Sequence, residues 1–142
     1  MTAWIVATAL AASPVFLENL YTEQLRPVKF EKPTLITFIQ PGCIPCKMQL
    51  KALECVAKKR GEEWDVWAVQ SSGSSAELRR GLKPMHLGIP VFIGSPSFLA
   101  AYGADQSPTP MTAVVAKGGK VLERVLGPQP CEFWLHRPKG TR

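Results

Sequence analysis

The chain has 142 residues, 17 of them Lys or Arg against 11 Asp or Glu, for a formal net charge of +6; 46% of the residues are apolar and 20% charged. That length suits one domain with a core of its own, and the apolar fraction excludes a disordered chain. No apolar run approaches the roughly 20 residues that a membrane-spanning helix requires, so membrane contact is confined at most to the N-terminal segment.

Residues 1–13, MTAWIVATALAAS, carry no charge and offer A-x-A steps at Ala7-Thr8-Ala9 and Ala9-Leu10-Ala11. They read as the core and cleavage region of a secretory signal peptide lacking its basic n-region; the other reading is a plain N-terminal helix. Export, to the periplasm or otherwise out of the cytoplasm, is the expectation adopted, with a cytoplasmic address if the segment is no signal. Residues 14–33 are mixed and Pro-punctuated, a lead-in to a domain at 34–136, and residues 137–142 read as a loose tail.

Within the domain, residues 35–39 (LITFI) form a short apolar run rich in β-branched and aromatic side chains, as in a buried parallel strand. Gln40-Pro41-Gly42 breaks the chain. A helix is predicted over 46–59, with Cys46, Leu50, Leu53 and Ala57 on one stripe, Gln49 and Val56 beside it, and Gly61 as the stop. Residues 64–70 suit a second strand, 71–75 a turn and helix cap, and 76–82 a short helix ended by Pro84. Ile89-Pro90-Val91-Phe92 reads as a brief strand that Pro90 would confine to a sheet edge. A helical turn at 98–102 precedes two strands, 111–116 and 121–126, whose Gly118-Gly119 link signals a hairpin. Pro130 can open a last helix through Leu135, docked by Phe133, Trp134 and Leu135. The order is βα, βα, an insertion, then ββα: an α/β fold with a central mixed sheet flanked by helices.

Cys43-Ile44-Pro45-Cys46 carries the chemistry. Two residues between cysteines at a helix start bring the sulfurs within bonding distance without backbone strain. Unpaired amide N–H groups and the helix dipole favour a thiolate there. Thiolate is the attacking species, and its pKa falls from about 8.5 to roughly 3.5–7.5 in such motifs. Pro45 suits an early helical position, and Lys47 adds positive charge. Cys43 is therefore the expected nucleophile and Cys46 the resolving thiol. Zinc sites use the same spacing but require two further ligands, and Cys55, Cys131, His86 and His136 supply no second paired knuckle. No metal or other cofactor is expected. The Lys and Arg residues are spread along the chain; the one dense run, Lys58-Lys59-Arg60, suits a solvated helix end, and nucleic-acid binding is not expected.

Residues 34–57, with Ser107-Pro108-Thr109-Pro110 and the hairpin, resemble the thioredoxin superfamily. The C-x-P-C form, residues 88–92 and Tyr102-Gly103-Ala104 are most similar to the exported TlpA/ResA-like members, which carry a small strand-helix insertion before the cis-Pro loop. The resemblance spans roughly residues 32–135 and implies a thioredoxin-like fold and thiol-disulfide exchange with protein thiols, disulfides and a redox partner protein. It implies that Pro110 is cis and faces the cysteines, and that the Thr109 backbone pairs with an extended substrate segment.

The chain departs from that family at three positions. Thr37 stands where many members have a buried acid, Gly42 where many have Trp, and Gln49 where cytochrome-maturation reductases often have Glu. Deprotonation of Cys46 must then use water, a hydroxyl or substrate. Cys55 shares a helix face with Met48, Lys51, Lys58 and Lys59, and in this fold Cys131 opens a helix on the same side of the sheet; the two are either a structural disulfide or independent residues. His86 reads as a loop histidine, and Trp64 and Trp67 as core and edge cover. Two rival functions stay open: a redox-inactive peptide-binding module of thioredoxin shape, and a thiolate carrier for a soft ion such as Cu(I).

Overall fold

The computed structural model describes residues 15–140. The N-terminal segment 1–13 lies outside them. Seven strands form one sheet: β1 (Phe16–Asn19), β2 (Leu25–Pro27), β3 (Thr34–Ile39), β4 (Asp65–Gln70), β5 (Val91–Ile93), β6 (Met111–Val115) and β7 (Val121–Leu126). Their spatial order is β2-β1-β5-β4-β3-β6-β7. β3, β4 and β5 run parallel, while β1, β2, β6 and β7 pair antiparallel to their neighbours. Four helices cover the sheet: α1 (Ile44–Arg60), α2 (Ser75–Leu82), α3 (Pro96–Ala101) and α4 (Cys131–Leu135).

β3 is buried at all six positions because both of its faces are covered. Leu35 and Ile39 meet the core beneath α1, α2 and α4, whereas Ile36 and Phe38 meet the core beneath α3, as the two-residue strand period requires. Leu50, Leu53 and Val56 of α1 are fully buried, each contributing roughly 1.5–3 kcal/mol by leaving water. On the opposite face Phe98 and Tyr102 pack with ring centroids 4.8 Å apart, and burial pushes the Tyr102 phenol up to about 12.

Three expectations need correction. The strand after Pro90 is not an edge: β5 lies between β1 and β4. Pro90 stands just before it, where its missing N–H costs nothing and its carbonyl accepts from Ala68 N–H at 3.0 Å. The segment taken as a lead-in supplies β1 and β2, which cover that side of the sheet. Gly61 is the stop of α1, as expected, in a right-handed conformation, φ −63°; a Cβ there would stand 2.4 Å from the Ala57 carbonyl oxygen, so close approach, not a left-handed turn, requires the glycine. Residues 137–140 are not loose. The Arg137 guanidinium lies 4.0 Å over the Phe133 ring, Lys139 pairs with Glu63 at 3.3 Å, and a Cβ on Gly140 would meet that of Ala116 at 2.9 Å.

Candidate active site

β3 ends at Ile39, and the chain must turn sharply to start α1. Gly42 makes that turn at φ +71°, and a side chain there would touch no atom within 4 Å. The turn is braced from the next crossover. The buried Gln70 side chain donates to Ser72 O at 3.3 Å and Gly73 O at 2.7 Å and accepts from Ser75 Oγ at 2.7 Å. A Cβ on Gly73 would lie 2.6 Å from Pro41 Cδ, so the ordered loop packs directly on the turn before Cys43. Sequence reading missed Gln70; its signal is a polar residue closing an apolar strand ahead of a Ser-rich turn.

Cys43 is the N-cap of α1. Its Sγ accepts a hydrogen bond from the Cys46 backbone N–H at 3.1 Å, and Pro45 occupies the first turn. Cys43 and Cys46 are disulfide-bonded, with Cα atoms 5.2 Å apart. The two sulfurs differ in access: Cys43 is half-buried, whereas Cys46 is only 2% exposed. The Thr109–Pro110 bond is cis. Thr109 Oγ1 donates to Cys43 Sγ at 3.6 Å, and the Thr109 carbonyl oxygen stands 3.7 Å from the same sulfur. In the disulfide Cys43 Sγ carries no proton, so the carbonyl contact becomes a hydrogen bond only on reduction to the thiol.

Gly42, Cys43, Cys46 and Lys47 line one small cleft with Leu78 and Leu82, of only about 10 Å³. Ile44 projects into solvent beside it, 72% exposed. A cleft this small cannot enclose a small-molecule ligand of ordinary size. A cavity of about 400 Å³ lined by Arg26, Trp67 and Phe92 touches none of these residues; it opens by the first residues of β4, at the far end of the sheet.

No protein-family model and no curated protein sequence matches the chain. Solved structures do. The pneumococcal exposed lipoprotein thioredoxin Etrx1 of Streptococcus pneumoniae superposes with a TM-score of 0.73 at 22% identity, over 87% of this chain and 96% of that one. StoA of Bacillus subtilis gives 0.70 at 16% identity, over 86% and 93% of the two chains. A putative thiol:disulfide interchange protein DsbE of Chlorobium tepidum gives 0.70 at 18%, over 85% and 86%. The chain has the thioredoxin-like fold.

Within that thioredoxin-like fold, the positions flagged as departures hold uncharged, satisfied groups. Thr37 pairs across β3 and β6 with Thr112, whose hydroxyl donates to that of Thr37 at 3.1 Å, and both are fully buried. Gln49 clamps the loop before α4: its Nε2 donates to Gln129 O at 3.2 Å, and its Oε1 accepts from Gln129 N–H at 2.9 Å. The Trp134 indole N–H donates to the same Gln129 oxygen at 3.2 Å. The buried polar side chains among the described residues are Thr34, Thr37, Gln49, Gln70 and Thr112, none of them ionisable. Cys46 thus has no buried carboxylate to take its proton.

Gln49→Glu should therefore destabilise the fold by about 1–3 kcal/mol at neutral pH, because a carboxylate oxygen would face the Gln129 carbonyl without a proton between them. The introduced carboxyl is held protonated in the folded state above its unfolded titration, so the deficit grows as pH rises through the acid range and shrinks below it. Denaturant midpoints at mildly acidic and neutral pH check both halves; a deficit independent of pH would refute the account. Thr109→Val removes the hydroxyl donor to Cys43 Sγ and should slow alkylation of reduced Cys43 at neutral pH about three- to tenfold, with the profile moved to higher pH. An unchanged profile in iodoacetamide kinetics would leave the α1 amides as the only donors that matter.

The remaining sequence candidates lie elsewhere. Cys55 and Cys131 are disulfide-bonded to each other, with Cα atoms 5.9 Å apart, which ties α1 to α4. The four cysteine sulfurs are thus paired two by two. His86 is exposed and caps a 3-10 turn in the left-handed region, φ +49°. His136 pairs with Glu132 at the surface, 3.5 Å away. Trp64 and Trp67 face opposite cores.

Proposed function

We propose that this chain is a thiol-disulfide oxidoreductase acting on protein substrates. The observation that carries the reading is the pairing of a part-buried Cys43, at a helix start with its Sγ donated to by an amide and a hydroxyl, with a fully buried Cys46 three residues on. Three similar structures support it: a thioredoxin, a thiol:disulfide interchange protein and a secreted disulfide oxidoreductase of Mycobacterium tuberculosis.

In the reducing direction the Cys43 thiolate attacks one sulfur of a substrate disulfide, forming a mixed disulfide and releasing the other substrate sulfur as a thiolate. Cys46 gives its proton to water or to that departing thiolate, since no buried carboxylate serves. Its sulfur then attacks Cys43 Sγ, releasing the second substrate thiol and leaving the Cys43–Cys46 disulfide of this structure. Substrate gains two electrons and two protons, and the protein loses the same. The oxidising direction is the reverse. Thr109, Pro110 and the shallow surface at Gly42 are the seat for the substrate backbone, which adds alongside as an extra strand would; Ile44 flanks it, while Pro45 and Lys47 shape and charge the helix start.

The compartment we infer is outside the cytoplasm, periplasmic or otherwise exported. The Cys55–Cys131 disulfide favours an oxidising environment, the apolar residues 1–13 read as a signal, and two of the similar proteins are described as an exposed lipoprotein and as secreted. Reduction of a protein disulfide by dithiothreitol in the presence of the protein tests the activity. A rate no higher than that of dithiothreitol alone, unaltered by Cys43→Ser, would overturn it in favour of a redox-inactive binding module.

A further inference from the structure

The outward face of α1 carries more charge than a solvated helix needs. At 3.6 residues per turn, Ile44, Lys47, Met48, Lys51, Lys58 and Lys59 fall within about 120° of arc, opposite the buried Leu50 and Leu53. None of these four lysines has a carboxylate within ion-pair distance among the described residues. The one acid of α1, Glu54, is engaged with the Gly88 N–H at 3.1 Å. Lys58 and Lys59 stand in the last turn, where the helix dipole favours cations. Lys47 stands near the start, where the dipole opposes a cation, and the first turn holds no acidic residue to compensate; Lys51 lies at mid-helix.

The ridge begins at the attacking sulfur. Ile44 and Met48, 72% and 58% exposed, form an apolar step beside Cys43. Beyond it an open depression of about 350 Å³ is lined by three lysines, Lys51, Lys58 and Lys59, with Cys55 and the single acid Glu54, whose carboxylate is held by the Gly88 N–H. From Ile44 to Lys59 the face runs about 22 Å, the reach of six or seven extended residues.

From this we infer a docking surface for an acidic segment of the protein partner, one that flanks the partner's exchanging cysteine and runs along α1 away from Cys43. The inference rests on the exchange activity proposed above and adds the chemistry of the partner. α1 contains no aromatic residue on which a base could stack, and a ridge that starts at the reacting sulfur suits a protein that must present a cysteine there.

The test uses two disulfide-containing peptides, identical except that the residues flanking one cysteine are Asp/Glu in the first and Lys in the second. Reduced protein should exchange with the acidic peptide about ten- to a hundredfold faster at low ionic strength, with the difference collapsing in high salt. K51E/K58E/K59E should reverse the preference and K51Q/K58Q/K59Q flatten it, while both retain the parent rate on uncharged hydroxyethyl disulfide. Equal rates on the two peptides, or a preference that survives the substitutions, would overturn the inference. So would equal peptide rates together with lysine-dependent binding to phosphatidylserine vesicles, which would assign the ridge to lipid. Failure of the exchange reading is distinct: hydroxyethyl disulfide would then go unreduced by every variant.

Discussion

Cys46→Ser should accumulate a covalent adduct at Cys43 when incubated with oxidised protein substrates, and Cys43→Ser should lose exchange by about three orders of magnitude or more. The asymmetry follows from access and from donors. Cys43 is only partly buried, and its Sγ takes hydrogen bonds from the Cys46 amide and the Thr109 hydroxyl, so it is both reachable and stabilised as a thiolate. Cys46 is 2% exposed in the first turn of α1, and its route of attack is toward the neighbouring sulfur. Removing the second thiol therefore stalls the reaction at the mixed disulfide. Removing the first leaves a sulfur that no bulky substrate can reach. Non-reducing electrophoresis and mass analysis read the adducts directly. An adduct of comparable yield at Cys46 in Cys43→Ser would reverse the assigned roles. The partners trapped by Cys46→Ser also test the α1 ridge, since acidic sequence should flank their captured cysteines.

The site was legible because its chemistry is local. Cys43, Pro45 and Cys46 lie within one turn, and an apolar β-branched run ahead of them fixes a strand, a break and a helix start. Thr109 and Pro110 were legible only through resemblance to a known family, since 66 residues separate Thr109 from Cys43 and nothing in the intervening periodicity says that they meet. β1 and β2 were missed because strands of four and three residues leave too little alternation to register, and most of their residues are exposed. Pro90 misled for a related reason: proline forbids one ladder hydrogen bond, but a strand that begins after it never needs that bond. The two supporting amides, Gln49 and Gln70, were invisible as such. A glutamine beside an apolar stripe looks like an exposed neighbour until the fold brings the backbone of Gln129, or of the 72–73 turn, against it.

C55A/C131A should cost about 4 kcal/mol of stability, since the bond closes a loop spanning 76 residues of sequence and its loss frees that much of the unfolded chain. Denaturant unfolding with the Cys43–Cys46 disulfide kept intact in both proteins measures it. α4 is only five residues long, too short to persist on helix propensity. Apart from the covalent tie, its seat depends on the fully buried Trp134 and on the Gln129 backbone held by Gln49. The activity per folded molecule should nevertheless survive. The Cys43 site is assembled from the end of β3, the start of α1 and the Thr109 loop before β6, and the contacts to Cys43 Sγ come from Cys46 and Thr109, not from α4. Stability within about 1 kcal/mol of the parent would mean that the packing of Trp134 holds α4 by itself. A fall in the rate per folded molecule would mean instead that the second disulfide reaches the reacting sulfurs through Gln49, one turn below Cys46.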